Sequence, residues 1–295
     1  PEVSGSIPLP ATIVFFKMKK TYVKKILKNF KSSPYSSIKW DNYFDIYENS
    51  LKKFVNKNIT LVEIGIGNGG SLFMWRNFLG KKAKIIGIEL NPDAKKFEKY
   101  GFKIFLGDQS DPSFWKNFYK INGKIDILID DGGHTNLQQI TTLMESVDNI
   151  KNNGVILIED THTSYMNYKG FKNPSNNSLI NFSTNIIENI HRRNPMVKKK
   201  MNIFSKKIYS VEYFDSIVKI NINKSKINYS KNLQNNKKLN PNFIDYRFKR
   251  LTVKKNYNKN NFIFNFFKSK ISKKGFLHSI YESYLIKKYL KKLQN

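Results

Sequence analysis

The stretch ITLVEIGIGNGGS, residues 59–71, decides the fold, because an apolar run typical of a buried strand breaks into a glycine-rich loop. The residues that follow, SLFMWRNFLG (71–80), have the composition of a helix with Ser71 as its N-cap and Gly80 at its end. A strand, a glycine loop and a helix in this order predict the first unit of a parallel α/β sheet.

The same alternation continues on the C-terminal side. Apolar runs predict strands at residues 83–90, 102–108, 124–131 and 154–160, and helices between them at 92–101, 112–121 and 135–150. Flanking patterns predict helices over 36–56 and 178–194 and two strands within 207–222. Alternating strands and short helices imply a doubly wound, Rossmann-like α/β fold with a mostly parallel sheet and right-handed crossovers.

The composition changes along the chain and predicts four segments. Residues 1–17 differ from the Lys/Asn/Ile-rich remainder and are predicted to be a tag or disordered leader ahead of a native start at Met18. Residues 18–57 would form an N-terminal helical lid and residues 58–222 the α/β domain. Residues 223–295 would form a basic, Lys/Asn-rich C-terminal extension that ends in an amphipathic helix, GFLHSIYESYLIKKYLKKLQ.

Composition excludes several classes of site. The chain of 295 residues contains no cysteine, which excludes disulfides, thiolate zinc sites and cysteine nucleophiles. No apolar run approaches the roughly 20 residues that a membrane-spanning helix needs. ATIVFF (11–16) lacks the flanks of a signal peptide. These features predict a cytoplasmic protein.

The net charge of +30 arises mostly in the C-terminal part. Residues 58–165, which contain the glycine loop and the predicted strand ends, have 12 basic and 13 acidic side chains, whereas residues 166–295 have 29 and 5. Only five of the 52 basic residues are Arg, whose planar fork suits phosphates and bases. A solvated Lys-rich surface is therefore favoured over a nucleic-acid interface. The basic C-terminal helix is expected to dock on the domain, with peripheral membrane contact as the alternative.

Most strand-borne carboxylates are predicted to lie at one edge of the sheet. Ligands of an open parallel sheet bind at the carboxyl ends of its strands. Those ends carry Glu63, Glu89, Asp108–Gln109, the stretch Asp130–His134 and Glu159–Asp160. Random placement would scatter these residues, so the sequence predicts a functional site at this edge.

The glycine loop indicates a nucleotide-type cofactor. GIGNGG has the G-x-G-x-x-G spacing, and the acidic Glu89 lies nineteen residues further on. This pattern fits a dinucleotide, whose pyrophosphate would lie at the helix N-terminus, and it equally fits S-adenosylmethionine. Glu63 favours S-adenosylmethionine, because a carboxylate there would repel a pyrophosphate but suit a cationic ligand. GDQSD (107–111) is placed to contact an adenine edge.

Six motifs, taken in order, resemble a known family. KWDNYFDIYE, LVEIGIGNGGSLFMW, IIGIELNP, GDQSDPSF, IDILIDDGGH and GVILIEDTHTSY are similar to motifs of the metal-dependent sugar O-methyltransferases of macrolide biosynthesis (the mycinamicin type) and their cephalosporin-hydroxylase-like relatives. The resemblance covers about residues 36–222. It implies a class I methyltransferase fold, S-adenosylmethionine and Mg²⁺ (or another hard divalent cation) as cofactors, a sugar hydroxyl as acceptor, and a homo-oligomer.

Carried over motif by motif, the resemblance implies a metal site and a base. The metal ligands would be Asp131, Glu159 and Asp160, and the general base would be His134. Relatives commonly have Ser where Gly133 stands, so a looser turn is expected. The residues expected to bind the cofactor are Glu63, Gly65, Gly67, Ser71, Glu89, Asp108, Gln109 and Asp130, the last of which faces the cofactor or braces the loop.

Elementary chemistry accounts for this combination. A hard dication prefers oxygen ligands, usually carboxylates with substrate and water oxygens. It can acidify and orient a sugar hydroxyl, and an imidazole with a pKa of about 6.5 can then accept the proton near neutral pH. His162 would either contact the groups behind the metal ligands or face the acceptor, and Tyr165 would line the acceptor pocket.

Two other functions remain open. The same fold could methylate RNA, with the basic C-terminal part as the RNA-binding surface. Salt-dependent RNA binding would support that function. It could also be a non-catalytic binding module, which the retained acidic and histidine residues argue against.

Overall fold

A computed structural model describes residues 25–168, 171–172, 177–194, 203–227 and the single residues 197, 233 and 235. The predicted leader (1–17), the predicted start at Met18 and the predicted helix at 275–294 lie outside these residues. Every described helix and strand belongs to the first of two compact units, which spans residues 1–231. Among the described residues, no helix is both long enough and apolar enough to cross a membrane.

The described strands form one large sheet and one small one. The strands are β1 (Thr60–Ile64), β2 (Lys84–Glu89), β3 (Lys103–Leu106), β4 (Ile125–Asp130), β5 (Ile150–Ile158), β6 (Asn167–Tyr168), β7 (Phe171–Lys172), β8 (Ile208–Phe214) and β9 (Ile217–Ile222). In the described part of the chain, seven of them pair in the order β3-β2-β1-β4-β5-β9-β8. Strands β1 to β5 are parallel, and the β8–β9 hairpin is added to β5 in antiparallel fashion. This arrangement confirms the predicted doubly wound, mostly parallel sheet.

Helices connect the strands. The α-helices are α1 (Lys25–Lys31), α2 (Tyr43–Leu51), α3 (Gly70–Leu79), α4 (Pro112–Asn122), α5 (Asn136–Ser146), α6 (Leu179–His191) and α7 (Ile203–Lys207). Shorter 3₁₀ segments are Lys52–Phe54, Pro92–Tyr100, Thr161–Tyr165 and Lys224–Lys226.

Two local predictions need correction. The helix predicted over 36–56 begins only at Tyr43, and residues 36–40, which include the buried side chain of Lys39, are irregular. The helix predicted at 92–101 is present as a 3₁₀ helix, Pro92–Tyr100. Ser71 is not an N-cap: the cap is Gly69, in the left-handed region at φ 80°, and the Ser71 hydroxyl donates to a strand carboxylate.

Two apolar layers cover the two faces of the sheet, because successive strand residues point to opposite sides. On one face, Leu61 packs in a cluster with Tyr47 of α2 and Trp75 of α3. On the other face, Val62 packs in a cluster with Trp115 of α4. Because the two clusters lie on opposite faces, a strand-end side chain points toward α2 when it lies on the same face as Leu61.

The strand order reverses beside β1, which opens a crevice at the carboxyl ends. Ile64 lies beside Asp130, and Asp130 lies beside Ile158. The next residues along β4 and β5 are Asp131 and Glu159, so these two begin side by side. By the alternation of side chains, both share the α2 face with Glu63 of β1.

Candidate functional site

Two carboxylates and an imidazole meet at the carboxyl ends of β4 and β5. Asp131, His134 and Asp160 each offer a ligand atom, and these atoms all lie within 4.8 Å of one another. The Nε2 atom of His134 is 3.4 Å from Oδ2 of Asp160 and 3.8 Å from Oδ1 of Asp131. The predicted base therefore faces two of the three predicted metal ligands.

The backbone at this cluster is held in an unusual conformation. His134 has φ 57° and Asp160 has φ 52°, in the left-handed region that L-residues rarely adopt. The Thr163 hydroxyl lies within hydrogen-bond distance of both carbonyl oxygens, 3.0 Å from that of His134 and 2.8 Å from that of Asp160. Such conformations persist where surrounding contacts enforce them, and they concentrate at functional sites.

One oxygen of Asp160 is fixed by aromatic donors. Oδ1 accepts hydrogen bonds from Tyr43 Oη at 2.7 Å and from Trp40 Nε1 at 3.0 Å. Burial and the hydrogen bond to Asp160 raise the pKa of Tyr43, so its hydroxyl remains a donor. Oδ2 of Asp160 is thereby left facing His134.

Glu159, the third predicted ligand, is not part of the group formed by Asp131, His134 and Asp160. Its side chain is 1% exposed, and its oxygens accept from Tyr47 Oη at 2.7 Å and Lys39 Nζ at 2.9 Å. Burial raises the pKa of Glu159 well above its ordinary value, against the opposing effect of the Lys39 charge. The structure thus brings Asp131, His134 and Asp160 together and directs Glu159 toward the interior.

Lys39 is a functional-site residue that the sequence did not indicate. Its ammonium is 2.6 Å from Asp131 Oδ2, 2.9 Å from Glu159 Oε2 and 3.7 Å from Glu63 Oε1, and the side chain is 1% exposed. Burial alone would lower the pKa of Lys39, but the charges of Glu159, Asp131 and Glu63 outweigh it and raise that pKa. The ammonium is therefore a fixed positive charge among three carboxylates.

Glu63 lies beneath the glycine loop. It is fully buried, and its Oε2 accepts a hydrogen bond from the Ser71 hydroxyl at 2.7 Å. Burial raises its pKa, while Lys39 and Ser71 oppose that rise. Neither Glu63 nor Ser71 lines the cleft beside the loop, so both support it from below.

A cleft of about 300 Å³ follows the glycine loop and the ends of β1, β2 and β4. Of the residues predicted to bind a cofactor, Gly65, Gly67, Glu89 and Gln109 line it. Glu89 Oε2 accepts from the Gly67 N–H at 3.1 Å, which connects the β2 end to the loop. The cleft is thus the place where four predicted cofactor residues meet.

Asp130 and Gln109 brace the turn that carries His134. Asp130 is fully buried, and Gln109 Nε2 donates to both of its oxygens, at 2.9 and 3.1 Å. Gln109 Oε1 in turn accepts from the Gly133 N–H at 2.9 Å, so the turn is held firmly although Gly stands at this position. Burial raises the pKa of Asp130.

Asp108, which was also predicted to bind the cofactor, is exposed and does not line the cleft. Its carboxylate accepts hydrogen bonds from the Ser110 N–H and hydroxyl.

Aromatic residues surround the other side of Asp131. A second cavity, of about 340 Å³, is lined by Asp131, Glu159, Asp160 and the segment Ile38–Trp40 together with Tyr43. His162 lies behind it, with its ring perpendicular to that of Trp40 and Nδ1 3.0 Å from the Ser216 hydroxyl. Tyr165 is exposed and does not line either cavity.

The residues present fit the groups that the sequence implied. Asp131 and Asp160 offer carboxylate oxygens, the donor type that a hard dication prefers, beside the imidazole of His134. His134 Nδ1 is a buried atom with no partner among the described residues. A Cβ on Gly65 would lie 2.0 Å from the Asp131 carbonyl oxygen, whereas one on Gly67 would meet no atom within 4 Å. The loop is therefore closely packed below and open above, as a cradle for a cofactor requires.

Comparison with known proteins identifies related methyltransferases. No protein-family model matches the chain. It is 27% identical over 167 residues to the 8-demethyl-8-alpha-L-rhamnosyl tetracenomycin-C 2'-O-methyltransferase of Streptomyces olivaceus, which covers 53% of this chain and 44% of that protein. It is 29% identical over 126 residues to the mycinamicin VI 2''-O-methyltransferase of Micromonospora griseorubida, which covers 40% of this chain and 31% of the relative. The chain thus spans less than half the length of these relatives.

A solved structure shares the fold. The MycE methyltransferase from the mycinamycin biosynthetic pathway, in complex with Mg and SAH, aligns with a TM-score of 0.59 at 20% identity, over 70% of this chain and 55% of that one. At this identity the likeness shows the fold alone. The predicted resemblance to sugar O-methyltransferases and the predicted methyltransferase fold are both confirmed.

Proposed function

We propose that this protein is an S-adenosylmethionine- and Mg²⁺-dependent O-methyltransferase that acts on a sugar hydroxyl of a glycosylated small molecule. One observation carries the proposal: the imidazole of His134 lies against Asp131 and Asp160 at the same sheet edge as the glycine-loop cleft. The relatives, whose names describe methyl transfer to sugars, support this acceptor class.

The two cavities suggest where donor and acceptor bind. Asp131 lines both the 300 Å³ cleft beside the glycine loop and the 340 Å³ cavity beside Trp40. We assign the first cavity to S-adenosylmethionine and the second to the acceptor. A hydroxyl bound near Asp131 would then lie between the methyl donor and His134. Such positioning supplies most of the acceleration in reactions that ask little covalent chemistry of the protein.

The metal would be held by Asp131 and Asp160, with Glu159 as the third carboxylate. When bound, S-adenosylmethionine supplies the methyl group, and the divalent cation supplies the charge that lowers the pKa of the acceptor hydroxyl. Tyr43 and Trp40 fix Asp160 Oδ1 and so direct Oδ2 toward the site.

His134 accepts the proton of the acceptor hydroxyl at Nε2, the ring nitrogen that faces the carboxylates. The Thr163 hydroxyl and the Gln109–Gly133 contact fix the turn, and hence the direction of the imidazole. Asp130 thus acts through the position of His134, and Gln109 positions the same turn while it also lines the cleft assigned to S-adenosylmethionine.

The test is a methyl-transfer assay with radiolabelled S-adenosylmethionine and a panel of rhamnosides and other deoxysugar glycosides. We expect transfer to at least one glycoside, loss of transfer after rigorous metal removal, and recovery on adding Mg²⁺. Full activity without any divalent cation would contradict the metal-dependent mechanism. Binding of S-adenosylmethionine without transfer to any glycoside would contradict the acceptor class.

A further inference from the structure

Lys39 occupies a position that the proposed metal site also requires. Its ammonium is 2.6 Å from Asp131 Oδ2 and 2.9 Å from Glu159 Oε2, so one positive charge already connects two of the three proposed metal ligands. The other Glu159 oxygen accepts from Tyr47. Both oxygens of Glu159 are therefore engaged by protein donors. A metal that binds Glu159 through Oε2 would therefore compete with the Lys39 ammonium for that oxygen.

We propose that the Lys39 ammonium and the divalent cation compete for Asp131 and Glu159, and that metal binding releases Lys39 from the interior. This inference rests on the proposed function, because it concerns the same metal site. Lys39 is then a positioning residue. Its ammonium holds the Asp131 and Glu159 carboxylates together, and a bound dication would replace it as their partner.

Charge supports the competition. Asp131 and Glu159 arise from adjacent strands, and Glu63 lies 3.7 Å from the same ammonium, so three carboxylates crowd one face of the sheet edge. Like charges at such distances repel strongly in a poorly solvated site. A single ammonium offsets part of that repulsion, and a doubly charged ion with a preference for carboxylate oxygens offsets more.

The surroundings give the lysine a route out. Lys39 belongs to the irregular segment 36–40, and its neighbours Ile38 and Trp40 are 91% and 58% exposed. The cavity of about 340 Å³ adjoins Lys39, Asp131 and Glu159 directly. The side chain can therefore rotate into that cavity without unfolding a helix or strand. Released there, the ammonium would line the space assigned to the acceptor.

The first measurement is calorimetric titration of the full chain with Mn²⁺ alone, comparing wild type, Lys39→Met and Lys151→Met. Lys151 also pairs with one carboxylate, Asp126, but at the opposite edge of the sheet, so its variant controls for the loss of a lysine. We expect Lys39→Met to bind Mn²⁺ at least about tenfold more tightly than wild type, because a competing charge next to the ligands is gone. Lys151→Met should bind as wild type does.

The second measurement uses wild type, and so does not depend on how Lys39→Met folds. Acetic anhydride labelling followed by mass spectrometry reports the accessibility of each amine. Lys39 should be protected without metal and should become reactive as Mn²⁺ saturates the site, while Lys151 should react equally in both states.

The outcomes separate the two proposals. Mn²⁺ binding by wild type, with Lys39 still protected at saturation and with no gain in affinity in Lys39→Met, would overturn the competition and leave the proposed function standing. Absence of Mn²⁺ binding by the wild-type chain would contradict the metal-dependent function itself, and the competition with it.

Discussion

The carboxylates at the carboxyl edge of the sheet differ in their exposure and in their proximity to His134. The inner carboxylates (Glu63, Asp130 and Glu159) are at most 1% exposed, and each accepts hydrogen bonds from protein donors. The outer carboxylates (Asp131 and Asp160) have side chains that are 22% exposed, and each has one oxygen near His134. The same residue types at the same edge therefore act differently: the inner set shapes the edge, and the outer set can meet a ligand.

Burial explains the division. A buried carboxylate costs free energy unless it is paired and hydrogen-bonded, so Ser71, Gln109, Tyr47 and Lys39 each serve the inner set. The outer set can exchange solvent for a cation at a smaller cost. Changes in the outer set should therefore affect catalysis, and changes in Glu63 or Asp130 should affect stability. Changes in Glu159, the proposed third metal ligand, should affect both.

The largest effect is expected from changing His134, which faces the two outer carboxylates. His134→Ala should lower the rate of methyl transfer by about 10²–10⁴-fold, the usual contribution of a general base, while the melting temperature stays near that of wild type. His191→Ala, which alters an exposed histidine in the last turn of α6, is the matched control and should retain activity. A rate in His134→Ala within threefold of wild type would remove His134 from the mechanism.

The second-largest effect is expected where the glycine loop packs against the backbone of Asp131. Gly65→Ala combines a left-handed φ of 78° with a Cβ placed 2.0 Å from the Asp131 carbonyl oxygen. Backbone strain alone costs roughly 1–3 kcal/mol, and the clash adds to it. We expect a loss of unfolding free energy and of S-adenosylmethionine binding, measured by denaturant titration and calorimetry.

Gly123→Ala provides the control for that experiment. Gly123 also has a positive φ, 65°, but an added Cβ there would meet no atom within 4 Å. It should therefore lose stability through strain alone and keep cofactor binding. Equal losses in both variants would show that the contact with Asp131 has no importance.

The smallest effect is expected from changing Gln109, which contacts the inner carboxylate Asp130. Gln109→Ala removes the donor to both Asp130 oxygens and the acceptor for the Gly133 N–H. Leaving buried polar groups unsatisfied should cost about 1–3 kcal/mol of unfolding free energy. Mn²⁺ affinity should change little, since Gln109 contacts neither outer carboxylate. A large fall in metal affinity with unchanged stability would invalidate the division between inner and outer sets.

The fold was predicted well from the sequence, because the fold depends on strong local patterns of apolar residues and glycines. Apolar runs of strand length and the glycine loop predicted β1 to β5, and the strand ends placed Asp131, His134 and Asp160 at one edge. These features depend on periodicity and topology, which can be read from one chain. The two strands β8 and β9 were also predicted from their pattern, whereas their antiparallel pairing was not.

The direction of individual side chains could not be predicted in the same way. Glu159 and Asp160 are adjacent, and only their neighbours determine that one faces Lys39 and the other His134. Lys39 itself was placed on a helix, since KWDNYF has helical spacing, yet it lies in an irregular segment with its ammonium 2.6 Å from Asp131 Oδ2. An ion pair across 120 residues leaves no periodic trace in the sequence.

The β8–β9 hairpin has a consequence for how the site is assembled on the ribosome. The carbonyl oxygen of its turn residue Ser216 accepts a hydrogen bond from the Thr161 N–H and lies 3.2 Å from Tyr43 Oη, and β9 covers the edge of β5. The carboxyl edge of the sheet is therefore incomplete until residues 217–222 have left the exit tunnel, some sixty residues after Glu159 and Asp160 have been synthesised. Until then β5 is an unpaired strand edge, which makes the nascent chain prone to pairing with other chains.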